Sequence, residues 1–341
     1  SESKNVSAIP ILEMNGTNSA SSNCTTDKLK QVIYPIAYLT IFTFGVVGNG
    51  LSIYVFLQPC KRKSAGNIFM LNLAVSDLMF VSTLPFRATY YLMNSNWIFK
   101  DIFCRIMSYI LYVNMYCSIY FLTTLSVARF IIIVYPFKCF QVTSTKYARI
   151  ICVVIWVFVM AGSSKLLDTG TTITNSSIKC LDLQPNNIDK IILLNSIVLV
   201  VGFSLPFFTI VVCYAFAIKA LLKSKATNAR VRACHKKAKL TIILTLFIFF
   251  LCFLPYHILR TVHLAQIRNG TESKCNLHKA VVITLCLAAM NSCLDPVLFY
   301  FVGENFKARL KNICEQDHPE TPPLSSSLPP FLLLLTFTFS L

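Results

Sequence analysis

Phe103 to Val134 reads FCRIMSYILYVNMYCSIYFLTTLSVARFIIIV, a run far longer than the roughly 18 apolar residues a helix needs to cross a bilayer. Working outward from it, six further stretches meet the same requirement: Val32–Leu57, Ile68–Met93, Ile150–Leu167, Ile191–Leu222, Leu240–Leu264 and Ala280–Val302. The sequence therefore predicts an all-α membrane protein, a bundle of seven transmembrane helices over residues 32–302. Composition agrees. Of the 341 residues 55% are hydrophobic and 13% charged, with a mean hydropathy of +0.63, too few charges to cover a soluble fold. The net charge of +17 would suit nucleic acid only as a basic patch on a water-soluble domain. Here the bases flank apolar runs, so membrane lipid is the expected partner and nucleic acid is not.

Ile150–Leu167 is the span nearest the minimum length, and two signals argue for keeping it. Asn-x-Ser/Thr acceptors stand at Asn5, Asn15, Asn23, Asn175 and Asn269, and glycans are added only in the secretory lumen. Seven spans with the N-terminus outside place all five on the outer face. The positive-inside rule agrees. Lys61, Arg62 and Lys63 follow the first span, and Lys223, Lys225, Arg230, Arg232, Lys236 and Lys237 follow the fifth. Residues 1–31 read as a polar, glycosylated extracellular segment with the first span as an uncleaved signal anchor. The location expected is the plasma membrane. No phosphate loop, His-Glu-x-x-His or Gly-x-Ser-x-Gly motif appears in the sequence, so no catalytic chemistry is expected. A transporter or channel is the alternative class, weakened by the lack of an internal repeat.

Most of the fourteen cysteines lie within apolar stretches, where they act as small hydrophobes. Cys24, Cys104, Cys180 and Cys275 fall on the outer side, and four cysteines permit three connectivities. One of these joins Cys104, at the start of span three, to Cys180 in the loop after span four, and Cys24 to Cys275.

Landmarks recur span by span: Gly48-Asn49, Leu73-Ala74-Val75-Ser76-Asp77, Trp97, Cys104, Ser126-Val127-Ala128-Arg129-Phe130, Trp156, Pro206 with Tyr214, Phe249 with Cys252-Phe253-Leu254-Pro255, and Asp295-Pro296. Over residues 30–314 the chain resembles the rhodopsin-like (class A) G-protein-coupled receptors. Asn49–Pro59 (NGLSIYVFLQP), Ser82–Arg87 (STLPFR), Ser95–Phe99 (SNWIF), Tyr112–Tyr116 (YVNMY), Phe249–His257 (FFLCFLPYH), Leu259–Leu264 (LRTVHL) and Gly303–Lys307 (GENFK) are similar to the cysteinyl leukotriene receptors within that family. Nucleotide receptors are the rival branch. The resemblance implies a receptor for a cysteinyl leukotriene that activates a heterotrimeric G protein, of the Gq type, and releases calcium.

Asp77 lies mid-span, where an ionised carboxylate is costly unless paired or hydrated. Asn114 and Ser118, and Asn291 and Asp295, are four apart and each share a helix face. The resemblance implies a sodium ion on Asp77, Asn114, Ser118, Asn291 and Asp295; a hydrogen-bond network without metal is the other reading. It also implies that Arg129 meets the G protein, and Ala128 replaces the usual acidic neighbour, which predicts a weaker resting lock. Pro206, Pro255 and Pro296 permit kinks. Phe253 stands where the family carries a switch tryptophan, one turn above Phe249. Phe299 stands where it carries a tyrosine, with Tyr300 one residue, about 100°, out of phase for Tyr214.

Towards the outer face, Arg87 and Arg260 lie deeper than charge anchoring requires. His257, Arg260 and His263 repeat at three-residue spacing and are expected along one face. Tyr109, Tyr112, Tyr116 and Tyr120 run down span three, with Tyr112 and Tyr116 the expected ligand phenols and ordinary core packing the alternative. Lys30 and Lys279 add charge at the mouth, as ligand groups or as snorkelling anchors. An apolar floor is expected around Leu166, Val198, Val201 and Phe203. Together these describe a site for an amphiphilic anion. Residues 303–314 read as an amphipathic membrane-surface helix ending at Cys314, a palmitoylation candidate or a plain thiol. Residues 315–341 read as an atypical cytoplasmic tail, closing on Phe331–Leu341, too short to span.

Overall fold

The computed structural model describes residues 26–58, 64–135, 144–168, 170–174, 177–180, 188–223, 229–269, 275–303 and 306–310. The Cys24–Cys275 pairing, Asn5, Asn15, Asn23, Asn175, Cys314, the bases Lys61, Arg62 and Lys63, and the tail 315–341 lie outside them. Asn269 ends span six and is exposed.

Among the described residues seven helices are long and apolar enough to cross a membrane: Leu29–Leu57, Ala65–Leu92, Asp101–Val134, Thr145–Asp168, Asp189–Lys223, His235–Arg268 and Asn276–Val302. In lipid every backbone polar group must be satisfied within its own segment, which is why each span is a helix. Outer faces are apolar and exposed, as at Val153, Val154, Val157 and Phe158 of span four. Inner faces interdigitate, with Leu73, Phe121, Ile210, Phe249, Phe253 and Phe299 fully buried in one core.

Departures from regular helix follow the sequence's breakers. Pro85 has no N–H to donate, so span two breaks into Ala65–Val81 and Leu84–Leu92. Thr83 mends the break by donating Oγ1 to the Phe80 carbonyl at 2.7 Å. The second piece then turns Arg87 inward. In spans five and six, wide π turns occupy Val198–Ser204 and Phe249–Phe253, just before Pro206 and Pro255.

At one end of the bundle, strands β1 (Thr171–Thr174) and β2 (Ser177–Cys180) form an antiparallel hairpin pairing Thr171 with Cys180. A disulfide joins Cys180 to Cys104, Cα atoms 5.9 Å apart. The Trp97 N–H donates to the Ile178 carbonyl at 2.7 Å. Asp101 Oδ1 accepts from Thr171 N–H at 2.6 Å and Thr171 Oγ1 at 2.9 Å. Arg105 donates Nε to Asp101 Oδ2 at 2.6 Å and Nη1 to the Leu167 carbonyl at 2.7 Å. Gly170 makes this latch possible, since a Cβ there would run into both Asp101 and Arg105. At the opposite end a short helix, 306–310, buries Phe306 against Phe56, ring centroids 5.2 Å apart.

Candidate functional site

Below the hairpin, Arg260 is half-buried and stands among four phenols, Tyr34, Tyr112, Tyr116 and Tyr256. Among the described residues no carboxylate pairs with it. A guanidinium inside a bundle is costly unless its donors are met, and this arrangement of one guanidinium and four phenols can take an anion's oxygens. Arg87, 4% exposed, donates Nη2 to the Met107 carbonyl at 2.7 Å and lies against Tyr38, while its Nε is buried without a partner. Its Nε–H is therefore a donor still to be met. Lys30 and Lys279 are half-buried at this end of spans one and seven.

The expected single face on span six is corrected by the structure. His257 stacks on Phe203 of span five at 4.4 Å and meets Tyr116 at 6.0 Å. His263 instead contacts His278 of span seven, Nε2 to Nδ1 3.2 Å. Each three-residue step turns the helix by 300°, so successive members precess by about 60°. Arg260 sits between two histidines that look at different neighbours.

The tyrosines of span three divide likewise. Tyr109 donates to the Met160 carbonyl at 3.0 Å and Tyr120 to the Val201 carbonyl at 2.8 Å. Both brace span three against its neighbours, and only Tyr112 and Tyr116 join the arginine cluster. The expected floor is also amended: Phe203 is buried, but Val201 is 40% exposed on the outer face. Gly202 is what allows the approach, because a Cβ there would press on the Tyr116 ring.

Midway down the bundle Asp77 is fully buried. Its Oδ1 accepts from Asn114 Nδ2 at 2.8 Å and Ser292 Oγ at 2.9 Å. Asp295, also fully buried, faces Asp77 and Asn291. Asp77 Oδ2, Ser118 Oγ, Asn291 Oδ1 and both Asp295 carboxylate oxygens are buried with no hydrogen-bond partner among the described residues. An all-oxygen set containing two carboxylates is what a hard cation takes, so these residues fit a sodium ion.

At the far end Arg129 donates Nη2 to the Val302 carbonyl at 3.0 Å, and Lys237 donates Nζ to the Gly303 carbonyl at 3.2 Å. Spans three and six are thereby both tied to the last turn of span seven. Tyr214 OH accepts from Ser126 Oγ at 2.7 Å. Tyr300 turns towards Lys307, 5.5 Å from its ring centroid, while Phe299 packs edge-on against Phe56 at 5.6 Å. Phe249 and Phe253 meet at 5.4 Å above.

Residues 48–299 match the profile of the 7 transmembrane receptor (rhodopsin family). The chain belongs to this family. The receptor is 57% identical to cysteinyl leukotriene receptor 2 of Homo sapiens over 315 residues, 92% of this chain and 91% of that one. It is 40% identical to cysteinyl leukotriene receptor 1 of Homo sapiens over 299 residues, 86% and 88% of the two chains. With the uracil nucleotide/cysteinyl leukotriene receptor of Rattus norvegicus it shares 35% over 323 residues, 93% of each. The receptor is a multi-pass protein of the plasma membrane.

Four participants escape a reading of the receptor's sequence alone. Tyr256 and Tyr34 join the arginine cluster, Ser292 holds Asp77, and His278 meets His263. Of these, Ser292 had a usable signal, standing one residue after Asn291 and three before Asp295.

Proposed function

We propose that the receptor binds cysteinyl leukotrienes through the Arg260–tyrosine cluster and activates a heterotrimeric G protein of the Gq type, releasing calcium. The N-terminus and hairpin lie outside and the Arg129 end faces the cytoplasm, a reading supported by the acceptor asparagines and the basic loops. The observation that carries the ligand is Arg260 among four phenols, with no carboxylate partner among the described residues. Its guanidinium takes a carboxylate of the ligand, the phenols donate to the remaining oxygens, and the spare Nε of Arg87 adds a further donor. The hydrocarbon tail lies along Phe203 and its neighbours. Binding draws on span six, which carries Arg260 on one side of the Phe249–Phe253 turn and Lys237 on the other. A ligand that prefers the open arrangement shifts the population towards it, and opening requires the Lys237–Gly303 bond to break. Asp77, Asn114, Ser118, Asn291 and Asp295 would hold a sodium ion, whose single positive charge would offset part of the repulsion between the two carboxylates and so favour the closed bundle.

The test is calcium mobilisation in cells expressing the chain, challenged with cysteinyl leukotrienes and, separately, a nucleotide panel. A saturable leukotriene response is expected. Arg260→Ala should raise the dissociation constant about 10- to 150-fold, the worth of one charge-assisted hydrogen bond. A nucleotide response, or unchanged potency in Arg260→Ala at matched surface expression, overturns the ligand assignment.

A further inference from the structure

Of the receptor's five histidines, His263 and His278 meet at the hairpin end of the bundle. His263 stands on span six, nearly one turn beyond Arg260, and His278 in the first turn of span seven. Their contact is polar: His263 Nε2 and His278 Nδ1 are 3.2 Å apart, with the ring centroids at 5.1 Å and the planes at 46°. A head-on approach of two nitrogens at that separation would hold the centroids farther apart. The rings are therefore angled, and the two nitrogens can address one point beside the line that joins them. Two imidazole nitrogens held at about 2.0–2.1 Å by one tetrahedral zinc ion stand about 3.3 Å from each other. The packing of spans six and seven has thus already set the pair at the bite of a metal ion.

The surroundings favour that use. His263 is 4% exposed, and its other nitrogen, Nδ1, is buried with no hydrogen-bond partner among the described residues. The same holds for Oε1 of Gln266, three residues further along span six. An imidazole N–H and an amide oxygen at that spacing are complementary. A bond between them selects the tautomer in which Nε2 keeps its lone pair, as the second donor of a metal-bound histidine does. His278 is only half-buried, which gives an ion a way in from the end of the bundle. Among the described residues no third histidine, cysteine or carboxylate joins the pair, so water completes the shell and the ion is exchangeable rather than structural. Calcium and magnesium take oxygen ligands, whereas two imidazoles suit zinc. With the orientation proposed above, this end faces the extracellular fluid.

We propose that His263 and His278 bind a zinc ion that ties the outer ends of spans six and seven together. His263 Nε2 and His278 Nδ1 are the ligands, the proton that lay between them moves to His278 Nε2, and Gln266 steadies the His263 ring. Arg260 acts on His263 electrostatically, so a dication here is repelled by the guanidinium when the mouth is empty and adds to its attraction when an anion is present. Zinc and an anionic ligand therefore strengthen each other's binding, reciprocally. That last consequence rests on the leukotriene reading above; the metal site does not.

The experiment is equilibrium binding of radioactive zinc chloride to the purified full chain in phosphatidylcholine nanodiscs, with empty nanodiscs as background. It needs no agonist, so its result is independent of whether the leukotriene assignment stands. A saturable component is expected that excess calcium and magnesium chloride leave in place. His263→Ala or His278→Ala should weaken it more than about tenfold, and Gln266→Ala about tenfold, the usual cost of losing an outer partner of a metal ligand. His235→Ala, at the far end of span six, should change nothing. Zinc binding that survives both histidine substitutions, or that calcium displaces, overturns the site. A second measurement uses the unaltered chain and so does not depend on how a variant folds: saturating zinc should protect His278 from diethyl pyrocarbonate, read by peptide mass spectrometry. Labelling that zinc leaves unchanged overturns the site as well. In cells, zinc should lower the half-maximal leukotriene concentration about fivefold in the unaltered chain and not in His278→Ala. Equal potency with and without zinc, in a chain that binds the ion, overturns the mutual strengthening alone.

Discussion

Changing Lys237 to methionine keeps most of the length and apolar contact of the side chain but removes the charged group that donates to the Gly303 carbonyl at 3.2 Å. A charge-assisted bond of this kind is worth about 1.5–3 kcal/mol when buried. Lys237 is only partly buried, and screening by solvent brings the figure to about 1 kcal/mol. The bond exists only while span six lies against span seven, so its loss falls on the closed state alone. One kcal/mol is about a fivefold change in an equilibrium. A receptor whose open form is near 1% at rest would therefore reach about 5%. The assay is agonist-free guanine-nucleotide exchange in membranes at matched surface expression, with Lys237→Arg as the control that keeps a donor. A fivefold rise for Lys237→Met and little change for Lys237→Arg are expected. An unchanged or lower basal rate in Lys237→Met would refute the closed-state tether. Ala128→Asp acts in the opposite direction by giving Arg129 an adjacent carboxylate besides the Val302 carbonyl, and should lower basal exchange.

Three further outcomes follow from the geometry. Gly170→Val should displace the Asp101–Arg105 latch and speed amide hydrogen exchange over residues 171–180 with the disulfide intact; exchange as slow as in the unaltered chain would remove the latch from the account. Asp295→Asn should abolish the rise in melting temperature that sodium chloride gives over an equal concentration of an organic-cation chloride, and a rise that persists would take Asp295 out of the cation site. Phe299→Tyr places a hydroxyl where the ring is fully buried against Phe56, at a cost of about 1–3 kcal/mol if it finds no partner. A lower melting temperature in detergent is expected, and an equal or higher one would mean that the hydroxyl reaches an acceptor.

The seven spans were legible because bilayer thickness imposes a length and an apolarity that few other constraints produce. Their ends were less so. The sixth helix begins at Ala229 rather than Leu240 and the fifth at Ile188 rather than Ile191, since backbone hydrogen bonding continues into polar flanks that hydropathy excludes. Arg260, Tyr112 and Tyr116 were readable as a cationic, phenolic mouth. Tyr256 was not, because it sits beside the Pro255 kink and its direction depends on the wide turn before it. His257 and His263 do not share the one face that three-residue spacing suggests, because that spacing is a slow spiral and not a straight line. Arg129 offered no hint of its partner, for a backbone carbonyl has no letter in the sequence. The Tyr109 and Tyr120 braces were hidden for the same reason, both acceptors being main-chain oxygens of Met160 and Val201.

The wide turns at Val198–Ser204 and Phe249–Phe253 each hold a surplus residue, and one residue is about 100° of helix. In spans five and six the two halves of the helix are therefore set at an angular offset that regular winding would not give. Deleting one residue within Phe249–Phe253 would leave a well-formed helix of nearly the same length, yet swing Arg260 away from its four phenols while Lys237 stayed in place. The phase of the mouth relative to the coupling end is thus stored as a count of residues. Any alignment or graft that treats span six as an uninterrupted helix will carry a side chain from one half onto the wrong face of the other.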